Sequence, residues 1–218
     1  MTTHLETAQM AQRWIDTHKR LTDHGIAWSH SAQRADVVSH TLYNGSAGII
    51  IFHLELHAAT GDARFLEIAR AAADDLAAYA RESQRQSCAI YTGWPGLAFA
   101  LAEASRRTGD GRHRDAAVHC LDRLYASAHR LGSGIGWIEP MPFSDIHGFK
   151  GDREVYDASV GAAGAGFVLL YAARTHLHPD ALEWAADIGN RLLDVAQPTA
   201  AGLNWALMSD MPFPWNPA

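Results

Sequence analysis

Cysteine is nearly absent from this chain of 218 residues: Cys88 and Cys120 are the only two. That is too few for the disulfide framework of a small secreted domain. The first twenty residues lack an unbroken apolar core, so no secretory signal is expected. No apolar run approaches the length a membrane-spanning helix needs. Positive charge is also short, with 18 Lys and Arg against 24 Asp and Glu and a net charge of −6. Without a basic patch, nucleic acid and anionic membrane are poor partners. Together these absences point to a cytoplasmic protein. Strand patterns are scarce as well, beyond short pieces such as Ile135-Gly136-Trp137-Ile138. What remains, 48% apolar and 19% charged residues, suits one ordinary domain over 1–218 with a sizeable core.

The chain is rich in a repeated signal. Gly45-Ser46-Ala47-Gly48, Gly93-Trp94-Pro95-Gly96 and Gly161-Ala162-Ala163-Gly164 each open an apolar run. Three copies of one signal make a repeat, which has to be read before any single motif. The first run, Ile49 to Leu56, is apolar nearly all round and is expected to be a buried helix. Thr60-Gly61-Asp62 stops it, with Gly61 suited to a left-handed turn and Asp62 to capping the next helix. That next helix is one-sided: Phe65, Ala69, Ala72, Leu76 and Tyr79 share a face. The second repeat has the same form, with its stop at Thr108-Gly109-Asp110. Its outer face reads Ala117, Leu121, Leu124, Ala128 and Leu131. The third starts at Gly161, restarts near Pro179-Asp180, and carries Ala181, Ala185, Ile188, Leu192 and Val195.

A helix over 4–22 leads the chain, and residues 23–41 read as a loop. The seven helices so predicted give an all-α fold. Alternating buried and half-buried helices favour a closed ring, with the glycine-started helices inside and their mouths, with Asp157, turned to a shared hollow; an open stack would leave an apolar flank in water. An ordered insert, 132–152, separates the second and third repeats. Gly134-Ile135-Gly136-Trp137 is echoed by Gly202-Leu203-Asn204-Trp205, and Met141-Pro142-Phe143 by Met211-Pro212-Phe213. Equal spacing would place a fourth Gly-x-x-Gly beyond Ala218. The expectation is therefore an incomplete α/α toroid, truncated before its C-terminal repeats or completed by a partner chain.

The repeated Gly-x-x-Gly helices, the Thr-Gly-Asp stops and Tyr156-Asp157-x-x-x-Gly161-x-x-Gly164 resemble the lanthionine synthetase C-like (LanC-like) proteins over roughly residues 42–218. The resemblance implies an α/α toroid of helix pairs. It also implies a precursor peptide as substrate, cyclised when a cysteine thiol adds to dehydroalanine or dehydrobutyrine to give a thioether ring. It implies a zinc ion, held by two cysteines and a histidine, that lowers the thiol pKa. Asp157 matches the family's active-site aspartate and becomes the catalytic candidate. The family's active-site histidine and the zinc segments Trp-Cys-x-Gly and Cys-His-Gly have no counterpart here. Cys88 and Cys120 sit in neither context, so no metal ligand is assigned, and the chain alone is expected to hold no zinc and to be inactive.

Other readings stand beside these. Asp157 suits a helix cap. The Gly-x-x-Gly pairs invite a phosphate reading, but no strand precedes them and no Lys-Ser/Thr follows, so close backbone packing is the better account. His53 and His57 have a spacing that can hold a metal, but no third ligand is evident. A carbohydrate-active toroid would need paired carboxylates and aromatic platforms, for which Asp157, Glu139, Asp145, Trp94 and Trp137 are the candidates. His147 and the insert aromatics suit a peptide groove or a plug. A helical scaffold that binds peptide without turnover is the third possibility.

Overall fold

The structure is a computed structural model that describes residues 3–31, 34–140 and 151–211. Met141-Pro142-Phe143, Asp145 and His147 lie outside the described residues, as do Pro212 and Phe213. Among the described residues there are seven helices: α1 (His4–Asp16), α2 (Ser46–Thr60), α3 (Ala63–Glu82), α4 (Trp94–Thr108), α5 (Gly111–Ala126), α6 (Ala162–Arg174) and α7 (Ala181–Asp194). α2 packs on α3, and α6 on α7. This is the all-α, helix-pair class that the repeats predict, consistent with an incomplete α/α toroid, with short strands added. The chain divides into two compact units, one of residues 1–85 and 96–120, the other of 86–95 and 121–218.

The stops behave as their chemistry requires. Gly61 is left-handed at φ 70°, and Asp62 caps α3 by accepting the Arg64 amide at 3.0 Å. Gly109 repeats the left-handed turn at φ 72°, and the Asp110 side chain accepts from the Arg112 amide at 2.9 Å. In both stops the threonine hydroxyl donates to the carbonyl four residues back, Thr60 to Leu56 and Thr108 to Ala104, each at 2.7 Å. Ile50 and Leu54 of α2 and Phe65, Ala69, Ala72 and Leu76 of α3 are buried, each large side chain contributing about 1.5–3 kcal/mol.

The strands correct the reading of the connections. α1 ends at Asp16, and residues 23–41 are not a loop. β1 (Lys19–Leu21), β2 (Ile26–Ser31) and β3 (Arg34–Ser39) form an antiparallel sheet there. Likewise Ala128 and Leu131 do not continue the outer helix. α5 stops at Ala126, and β4 (His129–Leu131) pairs with β5 (Gly134–Gly136). A third hairpin, β8 (Gln197–Thr199) with β9 (Gly202–Asn204), follows α7. Short strands β6 (Glu139–Pro140) and β7 (Asp152–Arg153) also pair.

The three hairpins are one device. The Gly-Ile-x-Trp signal at 134 and Gly202-Leu203-Asn204-Trp205 have a third relative in Gly25-Ile26-Ala27-Trp28. Each tryptophan donates its indole N–H to the carbonyl thirteen residues back on the preceding helix: Trp28 to Ile15 at 3.0 Å, Trp137 to Leu124 at 3.2 Å, Trp205 to Leu192 at 2.6 Å. Helix C-termini leave carbonyls without intrahelical partners, and the indole satisfies one while its ring packs the hairpin down. By this rule α1 is itself an outer helix.

Two predictions follow from these contacts. Trp137→Phe should lower stability by about 1–2 kcal/mol, because it removes the buried donor to Leu124. Trp205→Phe should cost less than half as much, since Trp205 is 39% exposed against 3% for Trp137. Urea midpoints of the two variants check this, and equal losses would contradict it. The second concerns His53, which is fully buried beside Trp28 and Phe65. Its Nδ1 bonds the Ile49 carbonyl at 2.9 Å, and its Nε2 has no partner. Burial holds its pKa below the ordinary 6.5. Above pH 6.5 the ring is neutral whether folded or not; below it, the unfolded chain takes up the proton first and folded stability falls. His53→Leu should flatten the loss as pH falls below 6.5, measured by thermal unfolding across pH.

Candidate functional site

Asp157 lies in the turn just ahead of α6, half-buried. Its Oδ1 accepts the amides of Ser159 and Val160, the latter at 2.9 Å. It therefore caps the turn and not the helix, whose N-cap is Gly161 without any side-chain bond. The helix-cap reading of Asp157 is corrected accordingly.

Around this turn the second unit gathers several polar groups. Glu139 accepts the Cys88 amide with both carboxylate oxygens, at 3.1 and 3.2 Å. Ser87, Cys88, Trp137, Glu139, Arg153 and Val160 are among the residues lining a cavity of about 60 Å³. Burial pushes the Cys88 thiol well above its ordinary pKa; the charge and hydrogen bond of Glu139, and the charge of Asp157, push the same way. Burial raises the Cys120 thiol too, against the opposing charge of Arg81. Both cysteines are buried free thiols. A group so strongly protonated is a poor nucleophile and a poor metal ligand.

Next in sequence to the cavity-lining Arg153 and Val155, the buried Glu154 is clasped by Arg191 with two bonds, at 2.9 and 2.6 Å, and the Tyr156 hydroxyl joins at 3.2 Å. Burial and the carboxylate raise the Tyr156 pKa to about 12. Glu154, adjacent to Val155 and three residues before Asp157, thus ties the linker to α7. Sequence reasoning missed this pair, and no spacing signals it.

The candidates for other chemistries do not assemble. His53 and His57 bind separate backbone carbonyls, those of Ile49 and Asp62. Asp74, Asp110 and His113 have ligand atoms within 4.8 Å of one another. The Arg112 guanidinium already sits on both carboxylates, at 3.1 and 2.7 Å, so the group is an ion-pair knot. Trp94 and Trp137 are 1% and 3% exposed and offer no platform for a sugar. In the Gly-x-x-Gly pairs, a Cβ at Gly45 or Gly161 would lie 2.6 or 2.5 Å from the carbonyl oxygen of Ser39 or Val155. Close backbone approach explains those glycines without a phosphate.

A family model described as lanthionine synthetase C-like protein matches residues 36–211. The chain belongs to the lanthionine synthetase C-like family. No curated protein matches it. In this LanC-like chain the Gly-x-x-Gly repeats, their stops and Asp157 all fall inside the matched stretch. No helix among the described residues is long and apolar enough to cross a membrane.

Proposed function

We propose that this chain is the N-terminal part of a lanthionine-synthetase-like peptide cyclase that works in the cytoplasm. Its substrate would be a precursor peptide carrying cysteine and dehydroalanine or dehydrobutyrine. The observation that carries this reading is the family match over residues 36–211, which includes Asp157 in the turn before α6.

In the reaction a thiol sulfur adds to the β-carbon of the dehydro residue, and the resulting enolate takes a proton on its α-carbon. The net change is an addition, with no leaving group. A positioned carboxyl group is suited to moving that proton. Asp157 is held in place by the Ser159 and Val160 amides through Oδ1, which leaves Oδ2 as the oxygen for proton transfer.

Zinc, which the family implies, does not fit the residues at hand. Cys88 and Cys120 are buried, protonated thiols, and neither belongs to a group of three candidate ligands among the described residues. Thiol activation would have to come from further repeats or a partner chain. The carbohydrate reading loses support because its two aromatic candidates are buried.

The test is titration with a cysteine- and dehydroalanine-containing peptide, with cyclisation followed as loss of alkylatable thiol. Saturable binding with ring formation no faster than the uncatalysed background is expected, together with substoichiometric zinc by elemental analysis. Asp157→Asn should leave the fold intact by circular dichroism, since an amide oxygen still accepts both turn amides. Absence of any peptide binding would overturn the reading. Cyclisation by the chain alone would overturn its dependence on further residues.

A further inference from the structure

Segments distant in sequence meet around Asp157 in a closed circuit of contacts, all within the second unit. β6 and β7 pair with Glu139 opposite Arg153. Four residues beyond Arg153 the chain reaches Asp157, whose Oδ1 holds the Ser159 and Val160 amides. The Ser159 carbonyl in turn accepts the Tyr91 amide at 3.1 Å. Three residues before Tyr91, the Cys88 amide donates to both carboxylate oxygens of Glu139, at 3.1 and 3.2 Å. The circuit thus returns to the strand from which it began.

The linker 87–94 is held at both ends of this circuit. At one end, Ile90 packs on α6, where a Cβ at Gly164 would stand 3.0 Å from Ile90 Cγ2. Trp94 lies beneath the Arg123 guanidinium at 5.9 Å, within cation–π reach. At the other end, the Cys88–Glu139 contact is charge-assisted, which makes it about twice as strong as a neutral amide–carbonyl bond. The turn that carries Asp157 does not itself need an acid. Thr41 stands four residues before Gly45, as Asp157 does before Gly161, and its hydroxyl accepts the Asn44 amide at 3.3 Å. A hydroxyl therefore closes the equivalent turn in the first repeat. The carboxylate of Asp157 brings one oxygen more than the turn uses.

We propose that Glu139 is a positioning residue for Asp157, acting through the linker. By holding the Cys88 amide it fixes the register of residues 88–91, and the Tyr91 amide then fixes the Ser159 carbonyl. With Ser159 held at its carbonyl, its amide stays on Oδ1 of Asp157, and Oδ2 keeps one orientation. A catalytic group held in place before the reaction needs no rearrangement during it. Glu139 touches neither the peptide nor the proton in this account. Its value to catalysis rests on the cyclisation reading of Asp157; the positioning itself is measurable without substrate.

The readout is the ¹H–¹⁵N spectrum of the intact chain, followed across pH. Protonation of Asp157 moves the Ser159 and Val160 amide signals, and Asp157→Asn removes that movement. Glu139→Ala should shrink the movement by about half or more and speed hydrogen exchange at Tyr91, Ser159 and Val160 by about tenfold. Amides of α7 such as Ala185 should stay unchanged, showing an intact fold. Glu139→Gln keeps an oxygen that accepts the Cys88 amide and should restore both readouts. Glu139→Asp, one methylene short of the linker, should give an intermediate loss, and it carries the comparison if the alanine variant does not fold. A Glu139→Ala spectrum that titrates and exchanges like the unaltered chain would overturn the proposal. So would Glu139→Gln behaving like Glu139→Ala, which would mean that the charge acts on Asp157 without the linker. Failure of the peptide titration with these spectral changes present would strike the cyclisation reading and leave the positioning standing.

Discussion

The close approach of a linker carbonyl to a helix-opening glycine is the constraint on which the repeats depend. The first glycine of each pair meets the carbonyl six residues back: Gly45 that of Ser39, Gly93 that of Ser87, Gly161 that of Val155. The second glycine meets its own carbonyl six back, Gly48 that of Leu42 and Gly164 that of Ala158. Gly45 and Gly161 have extended φ angles of −144° and −132°, so a left-handed backbone is not what they provide. They provide absence of a Cβ, which lets the linker fold flat against the helix mouth. Everything placed by that linker, Asp157 included, inherits its position from this contact.

The indole bonds complete the geometry at the other end of each unit. The hairpin after an outer helix is fastened to that helix by tryptophan and then lies against the next outer helix. A Cβ at Gly25 would collide with the Ala71 carbonyl on α3, and one at Gly134 with the Asp187 carbonyl on α7. Ala71 and Asp187 are equivalent positions. The hairpin is therefore a spacer whose thickness is fixed by backbone contact, and small residues at its turn are required for the same reason as in the Gly-x-x-Gly pairs.

Much of this was legible in sequence, because helix pairing is written in periodicity and in stops. Phe65, Ala69, Ala72 and Leu76 announce the buried face of α3, and Gly61 and Asp62 announce its start. The hairpins were harder to read, since strands of two to six residues carry too little alternation to register against a helical background. The 109-residue distance from Gly25 to Gly134 also hid the first copy of their signature. At the site, Asp157 was legible by its place before Gly161, but its partners were not. Glu139 reaches Cys88 across 51 residues, and Arg191 reaches Glu154 across 37, distances that no local pattern encodes. The cap reading failed because an aspartate four residues before a glycine sits one turn too early to serve the helix, and its acceptor was captured by the Ser159 and Val160 amides instead.

Polar joints between successive outer helices follow the same register. Asp74 and Asp122 each stand thirteen residues after a stop glycine, Gly61 and Gly109. Each takes Nε2 of a histidine near the start of the next outer helix, His113 at 2.9 Å and His178 at 3.1 Å. His113 is fully buried and His178 nearly so. Apolar stripes alone would let neighbouring pairs slide along each other, since burial is non-directional. A single directional bond at a fixed helix position sets the register at small energetic gain, which is the role best attested for buried polar groups. The histidines enter from different offsets, three residues after Asp110 in one case and two before Asp180 in the other. The acceptor is what the repeat conserves in place; the donor is found wherever the next helix begins.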